Sequence, residues 1–443
     1  MNRELRTALV GMAILVLALG IGRFVLTPLL PLMQADEGLT LVAGGWLASI
    51  NMLGYLLGAL LCALCPLPSR PSLRIGAVAV ALATLGMGLS TRLDAWLAWR
   101  FVAGVASAAL VVHGIAWSMT RLRAAGRPLL EHVMFSGTGV GIAGSGLLVA
   151  ATRPLGISSA GLWTTFGIIT VVLFAWTWQR LGEEDAPTAG SAAPTSPARP
   201  PSGPAWALVS MYGLLGFAYT IPTAFLPLIA EHRLHLPALR EWFWPVFGVA
   251  MTAATLALRW LPVRIDNRTV LAACSVSLSC GMLLSVVGHG VAVLVLATLL
   301  IGIATMPVVM YTMREARLLA PRDSVRLIAA LTTTFGVGQA AGPAFAASLA
   351  ARTGGFDLPL LVGAGVSVAA MVCMLIRSPR VRAGIDRNVA FNQVPQCPTE
   401  QGCSSIEQRS GLRQSSFGPL YQDGVRDPDG NKLCASHCVT RDR

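Results

Sequence analysis

Charge is what this chain has least of. Only 12% of its 443 residues are Asp, Glu, Lys or Arg, about half the share of a soluble globular domain. Lys432 is the single lysine. No Asp or Glu falls near the middle of any long apolar stretch, which removes the membrane carboxylate that proton-driven export ordinarily uses. Nor does any region gather a His/Asp set or paired carboxylates of the kind acid–base chemistry needs. No catalytic residue, metal site or cofactor is therefore predicted, and the chain reads as no enzyme.

Apolar residues are what fill it, at 54% of the sequence and a mean hydropathy of +0.65. They fall into blocks of about 20 residues, the length an α-helix needs to cross a bilayer at about 1.5 Å per residue. Twelve spans are predicted: 6–33, 42–65, 72–91, 95–119, 129–152, 157–180, 205–230, 242–261, 269–289, 291–313, 325–350 and 358–377. The first follows Arg3 and Arg6 and passes a small-residue site at Ala18-Leu19-Gly20, as a signal peptide would, but its apolar run continues well beyond that site. The fold class expected is an all-α polytopic membrane protein.

A net charge of +12 would suggest nucleic acid in a soluble protein. Here the arginines concentrate in alternate loops. Arg3, Arg6, Arg70, Arg74, Arg121, Arg123 and Arg127 belong to one set, which continues through Arg259, Arg264, Arg268, Arg314, Arg317, Arg377 and Arg380. The opposite loops hold few, diluted by Asp36, Glu37, Asp94, Glu231, Glu241 and Asp357. The positive-inside rule then puts both termini in the cytoplasm of a bacterial inner-membrane protein, with the lipid bilayer and not nucleic acid as its partner. An even number of spans requires the same.

The Pro-, Ala-, Ser- and Gly-rich stretch 182–204 has linker composition. It separates an N-terminal six-helix bundle, 1–181, from a C-terminal one, 205–378, and a polar tail predicted to be disordered follows at 379–443. Sliding the first span by 196 positions lays Gly20, Thr27, Leu30 and Pro31 over Gly216, Thr223, Leu226 and Pro227, with Arg23 over Tyr219. A similar shift lays Gly104, Ser107 and His113 over Gly302, Thr305 and Tyr311. The glycine-rich "GTGVGIAGSG" (137–146) and "GVGQAAGP" (336–343) recur in the fifth and eleventh spans. Three spans agreeing to within two positions indicate duplicated halves.

With these features the chain resembles the major facilitator superfamily. "RFVAGVASA" (100–108) resembles its arginine-glycine motif, and "GQAAGP" (338–343) its glycine-proline motif, although that motif usually stands in the fifth span. The openings "GIGRFVLTPLLPLM", "GWLASINMLGYLLGALL" and "YGLLGFAYTIPTAFLPLIA" look like the YbfB/YjiJ-type branch, over roughly residues 1–380. The loop "CALCPLPSRPSLR" (62–74) departs from the superfamily by lacking an acid, which puts its usual charge lock in doubt. The resemblance implies two pseudo-symmetric six-helix bundles rocking about a midplane site lined by the first, fourth, seventh and tenth spans, and a monomer that moves a small organic solute by alternating access.

Arg23 is costly in lipid, at least about 2.5 kcal/mol on insertion scales, so an inward position is expected. Gly20 and Thr27, at i−3 and i+4, would share its face. Two readings stay open: a structural pin, or a bidentate grip on an anionic group. Thr27, Asn51, Tyr55, Arg100, Tyr219, Tyr311 and Gln339 are the further substrate candidates, each equally readable as interhelical glue, Arg100 also as a snorkelling or helix-end residue. His113, Glu131, His132 and Glu315 are the candidates for proton coupling. The substrate is expected to be anionic or polar. The alternatives are proton-coupled efflux of amphiphilic compounds and a non-transporting sensor on the same fold. In the tail, "DPDGNKL" resembles a strand turn of glyoxalase-type (vicinal oxygen chelate) enzymes, but with Cys434 where that fold has a metal-binding glutamate. The fragment is too short for such a site. Cys397, Cys403, Cys434, His437 and Cys438 lack zinc-like spacing.

Overall fold

The computed structural model describes residues 3–64, 68–181, 203–234, 239–260, 265–320, 324–375, 413–415, 418–426 and 432–438. The predicted linker at 182–204 lies almost wholly outside them, as do Cys397 and Cys403. Residues 1–378 form one compact unit and 379–443 another.

In the first unit every described element is helical. The first half holds α1 (Arg3–Leu15), α2 (Leu26–Glu37), α3 (Leu41–Leu64), α4 (Ser69–Gly88), α5 (Leu93–Ala124), α6 (Glu131–Phe135), α7 (Gly137–Thr152) and α8 (Ser159–Trp178). The second holds α9 (Gly203–Leu234), α10 (Phe243–Ala257), α11 (Asn267–Val287), α12 (Val291–Leu319), α13 (Ser324–Thr353) and α14 (Asp357–Leu375). Among the described residues, eleven spans are long and apolar enough to cross a membrane, and α13 completes the twelve by packing against α9 and α3. Large apolar side chains such as Ile75, Leu82, Ile168, Val172 and Val249 point outward, as a lipid-facing surface requires.

The first span is not one helix. Between α1 and α2 the backbone runs through a π-helical turn, Val16–Ile21, then through a turn at residues 22–25. Gly22 and Phe24 donate to the carbonyls five residues back, Leu17 and Leu19, at 2.9 and 3.0 Å. The extra residue per turn shifts the faces that regular periodicity assigns. Gly20 therefore meets α7, where an added Cβ would stand 2.6 Å from Gly141 Cα, and does not form the cavity wall that its i−3 relation to Arg23 predicts.

The halves meet where the duplication brings equivalent elements together. The second span of each half packs on the fifth span of the other, α3 on α13 and α10 on α7. Thr27 Oγ1 donates to the carbonyl of Thr223, its own repeat mate 196 positions later, at 3.1 Å. Close glycine contacts repeat at shifts of 196 to 198 positions. Gly141 abuts Val16 and Gly20, and Gly338 abuts Gly213 and Phe217. Likewise Gly104 abuts Asn51 and Gly302 abuts Phe247.

The second unit holds three antiparallel strands, β1 (Arg413–Ser415), β2 (Gly418–Arg426) and β3 (Lys432–Cys438), in the order β1-β2-β3. Composition predicts disorder here, and these strands correct it for their own residues. Arg426 pairs with Lys432 across 427–431, so the "DPDGN" stretch stands between two paired strands.

Candidate functional site

The broken first span leaves carbonyls without intrahelical donors, and the neighbouring helices supply them. Arg100, 2% exposed, donates from Nη1 to Gly22 O at 3.3 Å and from Nη2 to Arg23 O at 2.7 Å. Its Nε points at Leu47 O, 3.5 Å away. Asn51 Nδ2 bridges Gly22 O at 3.2 Å and Arg100 O at 2.8 Å. A guanidinium fork and an amide thus hold a backbone that cannot hold itself, the condition under which irregular chain is tolerated at membrane depth.

Beside this break lies a cavity of about 800 Å³ between the halves. Its walls come from the first span and from α3, α5, α9, α10, α12 and α13. It runs towards the end of the bundle where Glu131, His132, Arg259, Arg314 and Arg317 line its mouth. Arg23 borders both this cavity and a void of about 10 Å³ beyond it, lined by Thr27, Met52, Arg100, Thr220, Thr223 and Pro343. Past that void the halves are in contact through Thr27 and Thr223.

Arg23 is 6% exposed. Its Nε donates to Met52 Sδ at 2.9 Å, and its guanidinium carbon stands 4.6 Å from the Tyr55 ring centre and 5.2 Å from that of Phe24. Its Nη2 has no hydrogen-bond partner among the described residues, and no carboxylate pairs with it in any described ion pair. A buried cation held by rings and a thioether keeps most of its donor capacity for something else. Opposite, Gln339 Nε2 donates to Tyr219 Oη, while Tyr212, Phe335 and Tyr219 stack nearly parallel, with neighbouring ring centres 4.1 and 5.7 Å apart.

Of the residues singled out from sequence, Arg23, Tyr55, Tyr219, Tyr311 and Gln339 line the cavity, with Glu131 and His132 at its mouth. Thr27 does not: it bonds across the closed end. Arg100 and Asn51 do not either: the Arg100 guanidinium and the Asn51 amide nitrogen are spent on carbonyls at the break. Asn51 Oδ1 has no partner among the described residues, and Arg100 neither snorkels nor reaches the cavity. Glu315 is buried off the wall, with its oxygens taken by Arg268 Nε at 2.8 Å and Asn267 Nδ2 at 3.0 Å. His113 is buried and also stands off the cavity wall.

A family model described as "Uncharacterised MFS-type transporter YbfB" matches residues 15–376. The chain belongs to this family. No curated protein matches it. Among solved structures it is similar to the nucleoside transporter NupG in its D323A form, with 16% identity and a TM-score of 0.67 over 84% of this chain and 99% of that one. NupG without that substitution gives 16% identity and a TM-score of 0.63, over 85% of this chain and 100% of that one. The human organic anion transporter MFSD10 (TETRAN) gives 18% identity and a TM-score of 0.60, over 84% and 100%. At such identities these structures share the fold.

Sequence reasoning missed several wall residues of this MFS-type transporter. Tyr212 and Leu215 precede Tyr219 by seven and four positions, so helical spacing places all three on one face of α9. Met306, Met310 and Phe335 also line the cavity, but an apolar residue in an apolar helix announces neither wall nor core.

Proposed function

We propose that this transporter carries a small organic anion, and that the structure corresponds to the state open to the cytoplasm, both termini lying on that side of a bacterial inner membrane. The observation that carries the reading is the buried Arg23 guanidinium on the cavity wall, with an unpartnered Nη2 and no acid beside it. A guanidinium in this setting grips a carboxylate or phosphate through parallel bonds. The sidedness is supported by the arginine-rich mouth, since cytoplasmic loops carry the excess of Arg. Moving Arg23's surroundings from one access route to the other then requires opening the Thr27–Thr223 end and closing the mouth. Glu131 and His132 at the mouth are the groups best placed to exchange a proton with the cytoplasm, and the protein acts as a monomer.

Arg23→Lys keeps the charge and loses the planar fork, so organic-anion binding weakens. Arg23→Ala weakens it further, by about 2–5 kcal/mol if the charge pairs directly with the ligand. Arg23→Cys in a background without native cysteines is labelled by a water-soluble thiol reagent, and a bound anion protects it. Normal anion transport by Arg23→Ala, with no labelling at position 23, rejects the reading. The tail at 379–443, a fragment resembling part of a glyoxalase-type protein, is inferred to have no activity. Truncation after Arg382 leaves membrane insertion and melting temperature unchanged, and a large loss of either shows that it serves the bundle.

A further inference from the structure

The cavity is chemically one-sided. Its closed end presents donors: Arg23 Nη2 is unpartnered among the described residues, and Tyr219, already accepting from Gln339, keeps its own O–H for another acceptor. Among the lining residues Glu131 is the sole carboxylate, and it stands at the mouth. A substrate ammonium beside Arg23 would therefore be buried without a counter-charge, which is heavily unfavourable. Gln339 is the sole amide of the lining. Along the rest of the wall stand Leu19, Met251, Met306, Val309, Met310 and Phe335. Methionines adapt to irregular apolar shapes, and flat rings pack against an aromatic stack such as that of Tyr212, Phe335 and Tyr219. The volume suits a ligand of drug size.

The geometry points to a single-headed hydrophobic anion as the substrate: a carboxylate without an ammonium, joined to an aromatic or branched apolar body. Its head bonds Arg23 and its body lies along the methionine and aromatic wall. This rests on the anion reading of Arg23 and adds to it the requirement for the body and the exclusion of zwitterions.

The test uses the full-length protein in nanodiscs and measures binding calorimetrically. The probes are 2-naphthoate, its neutral amide 2-naphthamide, acetate, malonate and tryptophan. The expected result is that 2-naphthoate binds at least about tenfold tighter than acetate, malonate or tryptophan. Arg23→Gln removes the preference for naphthoate over naphthamide. Met310→Gln, close in shape but polar, weakens naphthoate and leaves acetate unchanged. If acetate or malonate binds as tightly as naphthoate and Arg23→Gln abolishes both, the anion reading stands and the hydrophobic body is wrong. Tryptophan binding as tightly as naphthoate overturns the exclusion of zwitterions. Equal binding of naphthoate and naphthamide, indifferent to Arg23→Gln, removes the anion reading and this inference with it. Absence of naphthoate binding at millimolar concentration also overturns the inference. Should Arg23→Gln not fold, Arg23→Lys and the wild-type selectivity series decide the same questions.

Discussion

Arg23 and Arg100 are two buried arginines at one break in the backbone, and what surrounds each guanidinium separates their roles. Arg100 spends its fork on the carbonyls of Gly22 and Arg23, whereas Arg23 meets a sulfur and two ring faces. Arg100→Ala strands the Arg23 carbonyl, leaves that of Gly22 to Asn51 alone, and lowers stability by about 1–3 kcal/mol. Arg100→Lys recovers less than half of this, because one ammonium cannot span two carbonyls as the fork does. Melting in detergent checks both. Arg23→Ala is expected to show the opposite profile, with anion affinity lost and stability nearly kept, and a reversed pattern would exchange the two roles. The sequence could not distinguish them. Each is an arginine in an apolar run, and the difference lies in which carbonyls the chain has freed nearby. Tyr55, Tyr219, Tyr311 and Gln339 were legible because polar groups on cavity-lining spans have few other places to go. The methionines and Phe335 were not, since their chemistry is that of the membrane itself.

At the scale of the element, glycine decides where helices touch. An added Cβ at Gly141 would meet nothing but backbone, with Gly20 Cα at 2.7 Å its nearest neighbour. At Gly144, one turn along the same helix, nothing lies within 4 Å. Gly141→Ala must therefore push α7 off the first span and destabilise, while Gly144→Ala gains helix propensity, about 0.5–1 kcal/mol. Equal melting temperatures for the two variants would remove the contact argument. The repeat of such contacts at a shift of 196 to 198 positions, as in Gly104 and Gly302, was legible because duplicated helices keep the residues that let backbones approach. The π-helical turn was not legible. Reading faces at 3.6 residues per turn assumes an unbroken helix, and one extra residue at Val16–Ile21 moves Gly20 off the wall.

For the whole molecule, the closed end is fastened by charge as well as by contact. Arg153, just after α7 in the first half, pairs with Glu241, at the start of α10 in the second. Glu241 also accepts from Arg240 Nε at 2.8 Å, and Arg240 Nη1 donates to Glu231 at 2.7 Å. The Arg153–Glu241 pair crosses between the halves and Glu241 is only 1% exposed, so opening this end must break a buried pair. The Arg153 side chain is 33% exposed, so losing Glu241 costs the closed state less than the roughly 3–5 kcal/mol of a fully buried pair. About 1.4 kcal/mol already shifts a two-state population tenfold. Glu241→Gln is therefore expected to shift the transporter towards opening at this end. Thr27→Cys, placed at the closed contact in a background without native cysteines, reports the change. A membrane-impermeant thiol reagent added on the face opposite the mouth labels it slowly in the parent and at least about tenfold faster in Glu241→Gln. The exchange of charges in Arg153→Glu with Glu241→Arg restores the pair across the halves and slows labelling again. Labelling that ignores Glu241→Gln would show that helix contact alone keeps this end shut.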